Sequence, residues 1–301
     1  MAQERTLVSF DWAIKNLLRS KADYVILEGF LTTLLGKAIK IKNLTDSESN
    51  KNSAKDRINR VDILAEEKDK SLIIIELQFT YELDYFHRML FGSSKAIVEH
   101  MKEGMDYSEV RKVYSINIVY FDLGGGKDYI YHGTTTFKGL HCKDELKLTA
   151  EQKAEFAKLE IKDIYPEYYL LRVNWFKNVI KSKLDEWMYF LKNSAVKPKF
   201  KAPGLNEAYE KLEYHRLSLK ARRAYDHYVD RLRSDRSTAY TARLEGKAEG
   251  EAIGIEKGKT EERIEIAKGM KAEGINIDII SKVTGLSKAE VLGLCGQGIP
   301  K

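Results

Sequence analysis

The stretch from Arg57 to Thr80, Arg57-Ile-Asn-Arg-Val-Asp-Ile-Leu-Ala-Glu-Glu-Lys-Asp-Lys-Ser-Leu-Ile-Ile-Ile-Glu-Leu-Gln-Phe-Thr80, restricts the possible folds more than any other part of the chain. Two apolar, β-branched runs, Val61 to Ala65 and Leu72 to Ile75, flank the polar group Glu67 to Lys70, which predicts a β-hairpin with a short solvated turn. A turn centred on Asp69 pairs residues equidistant from it, so Asp62 stands opposite Glu76 with Cβ atoms about 5 Å apart. Side chains alternate along a strand, so Glu76 and Gln78 leave one face and Ile75, Leu77 and Phe79 the other. Asp62, Glu76 and Gln78 thereby converge on one small patch.

A carboxylate within the run Leu72 to Phe79 is partly desolvated, and a buried charge pairs, takes up a proton or binds a metal. Two facing carboxylates repel unless a cation lies between them. Mg²⁺ meets that need with hard oxygen ligands, often one or two carboxylates together with substrate phosphate oxygens. The competing reading is a sheet edge whose acids face water or pair with Arg57 or Arg60.

The order Asp62, thirteen residues, Glu76-Leu77-Gln78 resembles the PD-(D/E)XK nuclease signature, in the variant where Gln replaces the final Lys. More narrowly, the chain resembles the PD-(D/E)XK nuclease family transposases, also called recombination-promoting nucleases. The likeness is carried in order by Phe10 to Leu18, Val61-Asp-Ile63, Ile75-Glu-Leu-Gln78, Val113-Tyr-Ser-Ile116, Trp187 to Asn193 and the Glu/Gly/Lys-rich tail ending in Val283-Thr-Gly-Leu-Ser287. It implies an α/β, restriction-endonuclease-like core with a mixed β-sheet flanked by helices, plus a helical C-terminal extension. The implied activity is metal-dependent hydrolysis of DNA phosphodiesters. Asp62, Glu76 and the Leu77 carbonyl would hold Mg²⁺, with Mn²⁺ as a substitute, and Gln78 would orient the attacking water without serving as a base.

Related nuclease folds often place an acid on the first helix, where it holds a metal-bound water. Phe10 and Ile14 repeat at helical spacing and put Asp11 in that position, although a first-turn acid is also favoured simply by the helix dipole. Glu28 on a second helix, from about Ala22 to Leu35, is a further candidate. After the hairpin, Phe86, Met89, Leu90, Ser93, Ile97 and Met101 mark a long helix, and a strand follows from Lys112 to Phe121. Strand, strand, helix, strand is the order such a core requires. Arg88 and Lys95 on this helix are candidate substrate-binding residues and can supply the cation that Gln78 lacks.

The chain has 301 residues, long for one domain. We divide it into a nuclease-like core over 1–195, a basic helical region over 196–236, a Gly/Glu/Lys-rich helix or linker over 237–262, and a small helix-turn-helix-like module over 263–301. No apolar run approaches the roughly 18 residues of a membrane helix, and no signal core follows Met1, so a cytoplasmic protein with no membrane partner is expected. Cys142 and Cys295 are the only cysteines, which excludes a disulfide framework or a zinc-cysteine site. From Lys192 to Arg236 there are twelve Lys or Arg against six Asp or Glu, an excess equal to the whole net charge of +6. Such a region can track DNA phosphates, or it can be a solvated helical face.

Thr45 to Lys55 reads as a loop, Ala38 to Lys42 as a half-exposed strand, and Gly124 to Gly126 as a turn before a strand from Tyr129 to Phe137. Strand-like runs continue over 157–173, and helical spacing returns from Trp175 to Leu191. Lys197 to Gly204, with two of the four prolines, reads as a linker. Gly246, Gly250, Gly254 and Gly258 recur every four residues, a stripe that suits close helix pairing and hence a homo-oligomer formed through the tail. At the end, Ser287 and Glu290 fit a capping box, and the last helix carries one base and no Arg or Asn to read base edges. The rival to a nuclease is a catalytically idle DNA-binding or self-assembling protein on the same fold.

Overall fold

The hairpin forms in the register its symmetry demands. In the computed structural model, which describes residues 7–16, 24–45, 62–156 and 160–294, strands β2 (Ile63–Glu67) and β3 (Leu72–Gln78) pair antiparallel through Ile63↔Ile75, Leu64↔Ile74 and Ala65↔Ile73. Asp62 follows next in line, opposite Glu76. The turn closes with Glu67 N–H donating to the Ser71 carbonyl at 2.9 Å and Lys70 at φ +69°. Asp69 Oδ1 steadies it by accepting the Ser71 N–H at 2.8 Å. Arg57, Arg60, Cys295 and nearly all of the loop read over 45–55 lie outside the described residues.

Around the hairpin the sheet grows to six strands. Helices α1 (Phe10–Asn16) and α2 (Tyr24–Leu35) precede β1 (Ile41–Thr45), which pairs antiparallel with β2. Helix α3 (Tyr85–His100) then carries the chain from β3 to β4 (Val113–Val119), which lies parallel to β3. Next come β5 (Ile130–Gly133), α4 (Ala150–Phe156) and β6 (Glu167–Arg172), and the sheet order is β1-β2-β3-β4-β6-β5. The result is a mixed sheet flanked by helices. Both faces of β3 are covered, as its run of three isoleucines requires. Leu72 and Ile74 pack with Leu64, Val113 and Ala96 of α3, while Ile73, Ile75 and Leu77 on the opposite face are no more than 3% exposed. A second apolar cluster joins Tyr85 and Met89 of α3 to Val119, Phe121 and Leu170.

Several boundaries differ from those expected. Strand β1 starts at Ile41, because Ile39 N–H donates instead to Thr32 Oγ1 of α2 at 3.0 Å. Strand β5 ends at Gly133, since Phe137 turns into its own small loop, accepting the Leu146 N–H at 2.9 Å. Helix α5 (Lys183–Asn193) begins only after the capping box of Ser182 and Asp185. The segment read as a linker over 197–204 is packed: Phe200 and Ala202 are 4% exposed and lead into α6 (Leu205–Leu212), which lies on α2. Gly124 to Gly126 is held from beneath by fully buried Arg172, whose guanidinium donates to the carbonyls of Gly124, Gly126 and Asp128. That guanidinium also stacks on Trp175 with 3.9 Å to the ring centroid. Arg172 thus satisfies its charge with carbonyl dipoles and an aromatic face.

Two buried acids tie the far strands and α5 together. Asp185 accepts from Tyr129 Oη, from the N–H groups of Lys181 and Ser182 at 2.8 Å each, and from Ser182 Oγ. Burial opposes its charge, but these donors outweigh burial and hold its carboxyl below the ordinary range. Glu167 is likewise lowered: burial is overcome by Lys112 at 2.8 Å and His132 at 2.9 Å. A depressed carboxyl contributes stability that is present above its unfolded pKa and lost as pH falls through the folded one. The urea midpoint is therefore expected to drop as pH falls below about 4, and Asp185→Asn should flatten that drop. An equally steep fall in the variant would refute the assignment.

The chain divides into two compact units, Met1–Tyr225 and Asp226–Lys301. The second holds most of helix α7 (Leu219–Ala272), which starts in the first and ends near Gly274 at φ +75°, and α8 (Ile277–Thr284) and α9 (Lys288–Gly293) follow. Ala267, Ile280 and Val291 form its small core, and the capping box of Ser287 and Glu290 starts α9. Lys271 Nζ closes the module by donating to the carbonyls of Val291, Leu292 and Leu294 at 2.8–3.0 Å. Among the described residues no helix is long and apolar enough to cross a membrane.

Candidate active site

The ladder of β2 and β3 stops at Ile63, so the Asp62 side chain is available to turn onto the neighbouring strand. Its Oδ2 accepts the Leu77 N–H at 2.7 Å, which seats the carboxylate against the backbone between Glu76 and Gln78. Glu76, 8% exposed, meets Arg88 Nη2 at 3.3 Å. Gln78 Nε2 donates to Glu82 Oε1 at 2.6 Å, and Arg88 Nη1 donates to both oxygens of Glu82 at 2.9 and 3.1 Å. The hairpin, the segment after it and the first turn of α3 therefore meet in one polar network. Burial disfavours the Arg88 charge, but Glu76 and Glu82 more than compensate and raise its pKa.

Beneath the acids lies a polar floor. The parallel register sets Asn117 beside Glu76 and Ser115 beside Ile74. Asn117, fully buried, donates to the Ser115 carbonyl at 3.1 Å and to Ser115 Oγ at 3.0 Å, while its Oδ1 accepts from Tyr85 Oη at 3.3 Å. Burial raises the Tyr85 pKa most, and the carboxylates of Glu76, Asp62 and Glu82 add to the shift with only Arg88 opposing them. One hydroxyl thus senses all three acids and stays protonated as a donor. A narrow crevice lined by Glu76, Tyr85, Arg88, Ser115 and Asn117 separates α3 from the sheet here.

Of the residues read from the sequence, Asp62, Glu76, Leu77, Gln78 and Arg88 come together. Lys95 does not join them; it lies on α3 and pairs with Glu99 at 3.6 Å. Asp11 is in the first turn of α1 and buried to 1% exposure, so it is no exposed surface acid. Glu28 has a structural task, accepting the Ile41 N–H at 2.9 Å and pairing with Lys40 at 2.7 Å to join α2 to β1. Glu82, Tyr85, Ser115 and Asn117 were not foreseen. The alternation of Ser115 and Asn117 within an apolar strand was their one visible signal.

Among the described residues no three His, Cys, Asp or Glu side chains form a cluster able to hold a metal ion. The donor chemistry nevertheless suits a hard cation, because Mg²⁺ usually takes only one or two protein carboxylates and completes its shell with water and phosphate oxygens. Charge agrees: Glu76 and Glu82 share the Arg88 guanidinium while Asp62 sits on the Leu77 N–H, so these four side chains carry a formal excess of two negative charges. A family model for the PD-(D/E)XK nuclease family transposases matches residues 8–242, a span that includes Asp11, the hairpin and α3. No curated protein and no solved structure matches the chain significantly.

Proposed function

The chain belongs to the PD-(D/E)XK nuclease family transposases, and on that premise we propose that it hydrolyses DNA phosphodiester bonds with a divalent ion, Mg²⁺ or Mn²⁺, held by Asp62, Glu76 and the Leu77 carbonyl. The observation that carries the proposal is the 2.7 Å hydrogen bond from Leu77 N–H to Asp62. It brings the first acid of the motif onto the backbone that bears the second. An ion bound there would stabilise charge developing on the phosphoryl oxygens and lower the pKa of the attacking water.

The chain's own groups do the rest. Arg88 supplies the cationic charge that the motif's usual Lys would bring, and its placement on Glu76 limits the repulsion between the two acids. Gln78, neutral and hydrogen-bonded, orients water and takes no proton from it. The basic stretch from Lys192 to Arg236 offers non-specific attraction for the DNA backbone. Self-association through the C-terminal unit belongs to the same proposal and is supported by the unbroken run of exposed residues over 233–263 of α7, where Gly246, Gly250, Gly254 and Gly258 have nothing packed against them. A monomeric mass in sedimentation would remove that part.

The deciding experiment follows conversion of supercoiled plasmid to nicked and linear forms. Cleavage is expected with Mg²⁺ or Mn²⁺ and none with EDTA. A protein inert with every metal and DNA form, yet still retarding DNA on a gel, would replace the nuclease with an idle DNA-binding protein on the same fold.

A further inference from the structure

Glu82 lies between β3 and α3, outside every motif position, yet it joins two of the side chains that the nuclease reading needs. Gln78 Nε2 donates to Glu82 Oε1 at 2.6 Å and to the Thr80 carbonyl at 3.3 Å. A primary amide has two N–H donors and one carbonyl acceptor, so these bonds use its whole donor capacity. The opposite amide orientation would set the carbonyl against two oxygens, one of them charged, and is excluded by the network itself. Gln78 can offer further partners only Oε1, an acceptor. Among the described residues no protein group donates to that oxygen.

Glu82 fixes Arg88 as well. The guanidinium spans the two acids, with Nη1 on both oxygens of Glu82 and Nη2 on Glu76. Without Glu82, Arg88 would be free to settle fully on Glu76 and to neutralise the carboxylate that a divalent ion has to share. We propose that Glu82 is a positioning residue for phosphodiester hydrolysis: it locks Gln78 as an acceptor toward the attacking water and draws Arg88 partly off Glu76. The inference rests on the nuclease reading for its effect on rate, and on the hydrogen-bond geometry alone for its effect on Gln78.

Two measurements separate those dependences. In a ¹⁵N-labelled protein the Gln78 side-chain amide, identified by its absence in Gln78→Met, should show one proton shifted strongly downfield, and Glu82→Leu, which leaves no acceptor, should return it to the ordinary amide range. In plasmid cleavage with Mg²⁺, Glu82→Gln should lower kcat by about 10- to 100-fold with KM within about twofold, whereas Glu82→Asp, which keeps the charge, should recover part of the loss. In a Gln78→Met background Glu82→Gln should cost far less, because the two residues act as a unit. An unshifted Gln78 amide in the wild type overturns the inference at once. So does full kcat in Glu82→Gln, or additive losses in the double variant. A shifted amide in a protein that cleaves no DNA would uphold the lock on Gln78 and overturn both the nuclease reading and the rate effect built on it.

Discussion

Asp62→Ala and Glu76→Ala are each expected to reduce metal-dependent plasmid cleavage by on the order of a thousandfold, the scale found when a charge-stabilising group is removed from a preorganised site. The double variant should be little worse than either single one, because groups that act on one ion lose their effect together. Loss of activity alone would not distinguish chemistry from folding, since Asp62 also accepts the Leu77 N–H at 2.7 Å. Leaving that buried donor unpaired costs about 1–3 kcal/mol. Asp62→Asn resolves the two roles. Its amide oxygen can still accept from Leu77, so the hairpin should keep its stability, but the negative charge is gone. The expected result is a nearly unchanged urea midpoint with cleavage reduced about as far as in Asp62→Ala. If Asp62→Asn cleaves within tenfold of wild type, the carboxylate is a strand cap and the metal site is elsewhere.

What could be read in advance follows from how local each interaction is. The register of Asp62 against Glu76 was legible because a three-residue turn and two alternating strands leave few pairings, and a slip by one residue would turn Leu64 and Ile74 off their shared face. Arg88 was legible because its position relative to Phe86, Met89 and Ser93 follows helical spacing. Asn117 was harder: its place beside Glu76 depends on the parallel register of β3 and β4, which no single turn encodes. Glu82 lies in the irregular segment between a strand and a helix, where no period predicts direction. Trp175 was read as part of a helix, but its indole N–H donates at 2.7 Å to Asp122, a residue 53 positions earlier in the chain, and its ring covers Arg172. Proline content suggested a linker over 197–204, whereas burial of Phe200 and Ala202 overrides that local signal.

The same packed segment yields the largest expected effect on stability. Gly29, within α2, faces the peptide that joins Pro203 to Gly204: a Cβ there would come within 2.3 Å of the Pro203 carbonyl oxygen and 2.6 Å of the Gly204 nitrogen. Gly204 is itself at φ +80°, and its own Cβ would lie 3.0 Å from the carbonyl oxygens of Val25 and Ile26. The two glycines let backbone meet backbone, and neither clash can be relieved by rotating a side chain. Ala favours a helix over Gly by about 1 kcal/mol, yet overpacking against rigid groups costs about 1–3 kcal/mol and sometimes more. Gly29→Ala is therefore expected to destabilise the first unit by about 2 kcal/mol or more and to release α6 from α2. Tryptophan fluorescence reads that unit alone, because Trp12, Trp175 and Trp187 all precede Asp226. Gly246→Ala in α7 is the control, with nothing within 4 Å of the added carbon. It should leave the fluorescence transition unchanged and stabilise its own helix by up to about 1 kcal/mol. If Gly29→Ala proves as harmless as Gly246→Ala, residues 197–204 are a loose connection after all, and the nuclease-like unit ends before α6.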